Sequence, residues 1–197
     1  MRKRPIAFLL FLLSFAVFGM TLARATLYAP TDDQHAPANV AEAATAPTTV
    51  SAPTRLSIPS IGVDANVQQV GLTSAGDMGV PSNFTDVAWY KYGPLPGTPG
   101  SAVIDGHVDN GLSLPGVFKH LDQIRAGDSI YVMTQSGQQL HFVVQSTQRY
   151  PYDAVPKEQL FAKSDTPRLN LITCSGTWMP NSKTYDTRLV VYTTLAP

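Results

Sequence analysis

One cysteine, Cys174, is present in 197 residues. A lone thiol excludes an intrachain disulfide framework and every metal cage built from several cysteines. Charge is scarce as well. Only 14% of residues are Asp, Glu, Lys or Arg, against about 25% in an ordinary soluble domain. The 14 cationic and 14 anionic side chains cancel. Without a basic surplus the chain cannot release counterions from a phosphate backbone, which argues against nucleic acid as a partner. Long helical periodicity and internal repeats are also missing. The 44% apolar content is nevertheless enough for a core.

The charge shortage is uneven. Met-Arg-Lys-Arg opens the chain, and residues 5–23 carry no charge at all. Nineteen residues at about 1.5 Å per residue nearly cross a hydrocarbon core of about 30 Å. The flanking cations predict a single-pass membrane segment over residues 1–23, with a cytoplasmic N-terminus and an extracellular remainder. Ala23-Arg24-Ala25 also fits a signal-peptide cleavage site, in which case the chain is secreted. Residues 24–54 contain nine Ala, six Thr and four Pro, and no Gly. Such a stretch buries too little apolar surface to offset its ordering entropy. It reads as a disordered linker, extended by its prolines, that holds the following domain away from the membrane.

Residues 55–197 carry ten Lys/Arg and eleven Asp/Glu. Eight short β-rich runs recur between Gly, Pro and Asn/Asp clusters: Arg55–Ile58, Asn66–Val70, Ala88–Tyr92, Ser101–Gly106, Ser129–Thr134, Leu140–Ser146, Leu169–Cys174 and Arg188–Thr194. Helix is expected only in short pieces, at Gly116–Leu121 and Lys157–Phe161, each following a proline. Many short strands with regular turns indicate an all-β domain, either a closed barrel or a sandwich.

Cys174 closes the apolar run Leu169-Asn170-Leu171-Ile172-Thr173-Cys174 and precedes Ser175-Gly176. A lone cysteine is commonly a small buried hydrophobe. In an exported chain with no partner thiol, at a strand end beside a Gly turn, it is also a candidate nucleophile. His107 likewise follows a strand, Ser101-Ala102-Val103-Ile104-Asp105-Gly106. Of the other histidines, His35 lies in the linker, His120 in a short amphipathic segment, and His141 on the polar side of a strand. A thiolate attacks a carbonyl, and an imidazole protonates the leaving amine, so Cys174 and His107 together point to acyl transfer. Arg188 opens the last strand. It serves either as an edge gatekeeper or, facing the thiol, as a donor to a developing oxyanion.

Strand-Gly-His, then Leu-Ile-Thr-Cys, then Arg-Leu-Val-Val near the C-terminus, resembles the sortases, cysteine transpeptidases of bacterial surfaces. Leu56-Ser57-Ile58-Pro59-Ser60-Ile61-Gly62-Val63 is similar to the family's first strand and turn. Gly106-His107-Val108-Asp109, Pro115-Gly116-Val117-Phe118 and Ala126-Gly127-Asp128 resemble the class F branch most. The likeness spans residues 55–197, and Asn170 stands where the family has Thr in Thr-Leu-x-Thr-Cys. The resemblance implies a closed eight-stranded β-barrel with catalytic His107, Cys174 and Arg188 at one end of a groove, and substrate contacts from Thr173 and Ser175. It implies cleavage of an LPxTG-like sorting signal after Thr through a thioacyl enzyme. An amine acceptor, a cell-wall precursor peptide or a pilin lysine, then resolves it. No cofactor is expected, and no acidic cluster suggests a metal site. The loop around Tyr150–Thr166 is the expected wall for Leu-Pro. A hydrolytic cysteine peptidase and a non-enzymatic surface binding module are the competing readings; L,D-transpeptidases fit less well, since Cys174 lacks their preceding Gly.

Overall fold

A computed structural model describes residues 51–197. The expected membrane segment and most of the linker lie outside the described residues. Among the described residues no helix is long and apolar enough to cross a membrane.

All eight sequence-predicted strands are present: β1 (Pro53–Ile58), β2 (Val63–Val70), β3 (Val87–Tyr90), β4 (Gly100–Asp105), β5 (Ser129–Thr134), β6 (Gln139–Pro151), β7 (Pro167–Met179) and β8 (Thr184–Leu195). They close into a barrel in the order β1-β2-β3-β4-β7-β8-β6-β5, with β1 sealing against β5. Closure satisfies the edge hydrogen bonds that an open sheet would leave to aggregation. Most pairings are antiparallel, but β2–β3 and β4–β7 are parallel. The β4–β7 pair lays the two strands that lead to His107 and Cys174 side by side and in the same direction.

Side-chain alternation builds two cores. Ala102 and Ile104 of β4, Leu169 and Leu171 of β7, and Leu189 and Val191 of β8 point into the barrel with Leu56, Phe142 and Phe118. Their sequence neighbours Val103, Ile172 and Val190 face outward and pack with Met78, Tyr90, Val155, Leu160 and Phe161. Each large apolar side chain buried this way contributes about 1.5–3 kcal/mol. The central strands therefore read as unbroken apolar runs, because both faces are covered.

Three sequence readings change. β7 continues through Cys174 to Met179, and Arg188 is the fifth residue of β8 rather than its first. The helix expected at Gly116–Leu121 is absent; a 3-10 turn covers Leu121–Gln123 instead. The amides of Lys119 and Leu121 donate three residues back, to Gly116 O and Phe118 O, so the segment closes as successive tight turns rather than as an α-helix. The second expected helix survives as one α turn, Lys157–Leu160.

Candidate active site

Strand register brings the predicted residues together. In the parallel β4–β7 pair Asp105 is level with Ile172, and two residues further along each strand come His107 and Cys174. The strands stay in contact there, because Gly106 N donates to Ile172 O and Thr173 Oγ1 donates to Gly106 O at 2.7 Å. On the other side of β7, Cys174 is paired directly with Arg188 of β8. Cys174 shares the outward phase of Ile172, and Arg188 that of Val190. Cys174 and Arg188 thus form one row on the outside of the barrel at the end of the second core, continued by His107 from the loop just past β4.

All three are buried, at 6%, 5% and 0% exposure respectively. His107 packs against the Phe84 ring with centroids 5.0 Å apart, and its Nε2 lies 3.0 Å from Pro81 O. Because a carbonyl only accepts, Nε2 carries a hydrogen there, which fixes the ring's orientation. Arg188 donates through Nη1 to Tyr185 O at 3.0 Å and through Nη2 to Thr184 Oγ1 at 2.8 Å. Its guanidinium lies over the Tyr152 ring, 6.0 Å from the centroid. The edge-gatekeeper reading of Arg188 fails on burial, since a gatekeeper faces solvent at a free strand edge.

The substrate-contact candidates separate. Thr173 lies on the opposite face of β7 from Cys174, buried, with its hydroxyl held by Gly106 O. It acts as a strut between β4 and β7. Ser175 is half-buried and follows the thiol directly, paired with Thr187. Asn170, the departure from the family pattern, donates to Leu160 O at 2.6 Å. It thereby tethers the connection between β6 and β7 to the sheet.

The pairing of β7 with β8 slips between Ser175 and Trp178. Gly176 has φ +85°, and a Cβ there would overlap the carboxylate of Asp186 and the side chain of Thr187. Asp186 holds the bulge by accepting from Thr177 N at 2.9 Å, and that backbone donor keeps its carboxyl below the usual range. Gly176→Ala is expected to cost about 1–3 kcal/mol and to lower turnover by displacing the residues after Cys174. Thermal unfolding together with steady-state kinetics checks this; an unaltered Tm and kcat would remove the bulge from the site's support.

Other residues of the site were not singled out from sequence. Tyr185 donates to Asp109 Oδ2 at 2.5 Å, and Lys119 Nζ lies 3.7 Å from the same oxygen. Burial, followed by its bond to Asp109, pushes the Tyr185 phenol well above its ordinary range. Asp105 is fully buried on the outward face one step from the row. Asp109 stands two residues after His107 and Tyr185 three before Arg188, but contact between positions 76 apart leaves no local pattern. His120 is exposed and hydrogen-bonded to Gln123, while His141 stacks on Tyr131, and neither is paired with Cys174 or Arg188. Among the described residues no group of His, Cys, Asp and Glu is arranged to hold a metal ion.

No curated protein matches the chain. Solved structures do. Sortase C-1 from Actinomyces oris is 26% identical, with a TM-score of 0.56, over 73% of this chain and 73% of that one. Sortase A from Corynebacterium diphtheriae, a lid mutant, is 21% identical with a TM-score of 0.57, covering 76% and 73%. Sortase A from Listeria monocytogenes is 18% identical with a TM-score of 0.55, covering 75% and 88%. The family model for the sortase domain matches residues 56–196. That match takes in the second half of β1, all of β2 to β8 and the whole His107–Cys174–Arg188 row, and the chain belongs to the sortases, the cysteine transpeptidases.

Proposed function

We propose that this sortase cleaves an LPxTG-like sorting signal after Thr and passes the acyl fragment to an amine at the cell surface. Cys174 Sγ attacks the Thr carbonyl carbon. The proton from the thiol passes to His107, and His107 returns it to the departing Gly nitrogen as the C–N bond breaks. A thioester to Cys174 remains. His107 then takes a proton from the incoming amine, whose nitrogen displaces the thiol and forms a new peptide bond. With Nε2–H committed to Pro81 O, the nitrogen that exchanges these protons is Nδ1. Arg188 and the backbone N–H groups near Ser175 stabilise the oxyanion.

The observation that carries this reading is the register: Cys174 opposite Arg188, with the His107 strand parallel on the other side. The class F likeness belongs to the same proposal, as does a retained N-terminal membrane segment with its N-terminus in the cytoplasm. The acceptor is a cell-wall precursor peptide or a pilin lysine. Leu-Pro is received on the outer surface of the barrel beside the β6–β7 connection. Tyr150, at the start of the region expected to form that wall, is the strand partner of Arg188, which joins the wall to the site.

The test is product mass analysis of a sorting peptide with and without an added oligoglycine. A ligated product in its presence is expected; only free acid in both reactions would favour the hydrolytic peptidase. Arg188→Lys is expected to lower kcat about 10²-fold or more. A point ammonium cannot hold Tyr185 O and Thr184 Oγ1 at once while presenting a planar fork. A wild-type kcat in that variant would remove Arg188 from the chemistry.

A further inference from the structure

We propose that Tyr185 is a positioning residue for transpeptidation, whose hydroxyl fastens the loop bearing His107 to the hairpin bearing Cys174 and Arg188. The proposal rests on the reading of those three residues as the catalytic set. β4 ends at Asp105, and the chain from Gly106 to His120 is without named strand or helix. Its hydrogen bonds Gly116 N→Val108 O, Phe118 N→His107 O and Asn110 N→Leu114 O shape the loop from within. They do not attach it to β8. Tyr185 does, through the 2.5 Å bond to Asp109, two residues beyond His107.

Tyr185 is anchored at its other end. Its carbonyl accepts from Arg188 Nη1, and its ring meets Trp178 edge-on, with centroids 5.4 Å apart, on the paired strand. One residue therefore touches the arginine through its main chain and the histidine loop through its side chain. A short bond to a carboxylate is worth about twice a neutral one, so the tie restrains a loop that has little regular structure. Burial and Asp109 both favour the protonated phenol, which suits a fixed donor rather than a proton shuttle. Lys119 adds a longer contact to the same carboxylate, and Tyr185→Phe leaves that pair intact.

The test compares Y185F, D109A, D109N and the Y185F/D109A double variant with wild type, all in the full chain. Turnover of a Leu-Pro-x-Thr-Gly peptide is measured alongside Tm and amide hydrogen exchange. Y185F is expected to lower kcat about ten- to a hundredfold with KM within about twofold. D109A should match it and the double variant should be no worse than either. D109N should retain more activity than D109A, because its amide oxygen still accepts from the phenol. Exchange across residues 108–114 should accelerate about tenfold in Y185F while β4 and β7 are unchanged. A wild-type kcat in Y185F, whatever its Tm, overturns the proposal, as do multiplying losses in the double variant or unchanged exchange. If wild-type enzyme does not turn over the peptide, it is the substrate reading that fails, and the exchange result alone decides the role of Tyr185.

Discussion

Replacing Cys174 with alanine is expected to lower cleavage and transfer by about 10⁴-fold or more, leaving the barrel folded. The size follows from the chemistry. Without Sγ no thioester forms, and the route that splits one difficult displacement into two easier ones is closed. His107 and Arg188 remain but have no nucleophile to serve. No second thiol exists to substitute, since Cys174 is the chain's one cysteine. Alanine adds no bulk at a site that is 5% exposed, so the strand pairing with Arg188 is retained. A fluorogenic sorting peptide and a thermal melt on the same sample check both halves. More than about 1% residual activity in a folded variant would contradict covalent catalysis by this residue. A non-enzymatic binding module expects no loss of function at all.

His107→Ala is the second large effect, about 10³-fold or more, because thiol and imidazole act as a unit. Raising the pH discriminates among its roles. In alkaline buffer a thiol needs less help to ionise, yet the leaving amine still lacks its proton donor. Activity in the variant is therefore expected to stay low in alkaline buffer. Recovery at high pH would mean that His107 acts only as a base toward the thiol. His120→Ala and His141→Ala serve as controls and should keep most activity, since neither residue belongs to the row. Equal losses at all three histidines would undo the assignment of His107.

The sequence pattern carried the strands well because alternation and turn residues are local. Gly, Pro and Asn/Asp clusters marked the boundaries between the eight strands, a lone Gly137 sufficing between β5 and β6, and period-two burial in β5 is visible in Ser129-Ile130-Tyr131-Val132-Met133-Thr134. Strand ends were less legible. Ser175-Gly176 looks like a turn, but Gly176 takes its positive φ inside a bulge and the ladder resumes at Trp178. A bulge and a turn share residue preferences, and only the partner strand distinguishes them. The helix expected after Pro115 failed for a related reason: distant carbonyls, Phe84 O and His107 O, hold the Val117 and Phe118 amides while the segment closes into three-residue turns instead.

Within the site, His107, Cys174 and Arg188 were legible as residue types at strand boundaries and through a resemblance. Their convergence was not. It depends on a parallel β4–β7 pairing and an antiparallel β7–β8 pairing that no single segment encodes. Thr173 shows the limit of the resemblance. The likeness placed it among the substrate contacts, while strand alternation turns its hydroxyl to Gly106. Tyr185 and Asp109 were passed over because their bond spans 76 positions.

The central claim is that acyl transfer passes through Cys174. Intact-mass and peptide-mapping analysis of the full chain, quenched during turnover of a Leu-Pro-x-Thr-Gly peptide, tests it most directly. The account expects an added mass equal to the peptide's fragment up to Thr, located on Cys174, lost on addition of an oligoglycine amine and absent in Cys174→Ala. Peptide consumption with no adduct on Cys174, or an adduct that persists in Cys174→Ala, would contradict it.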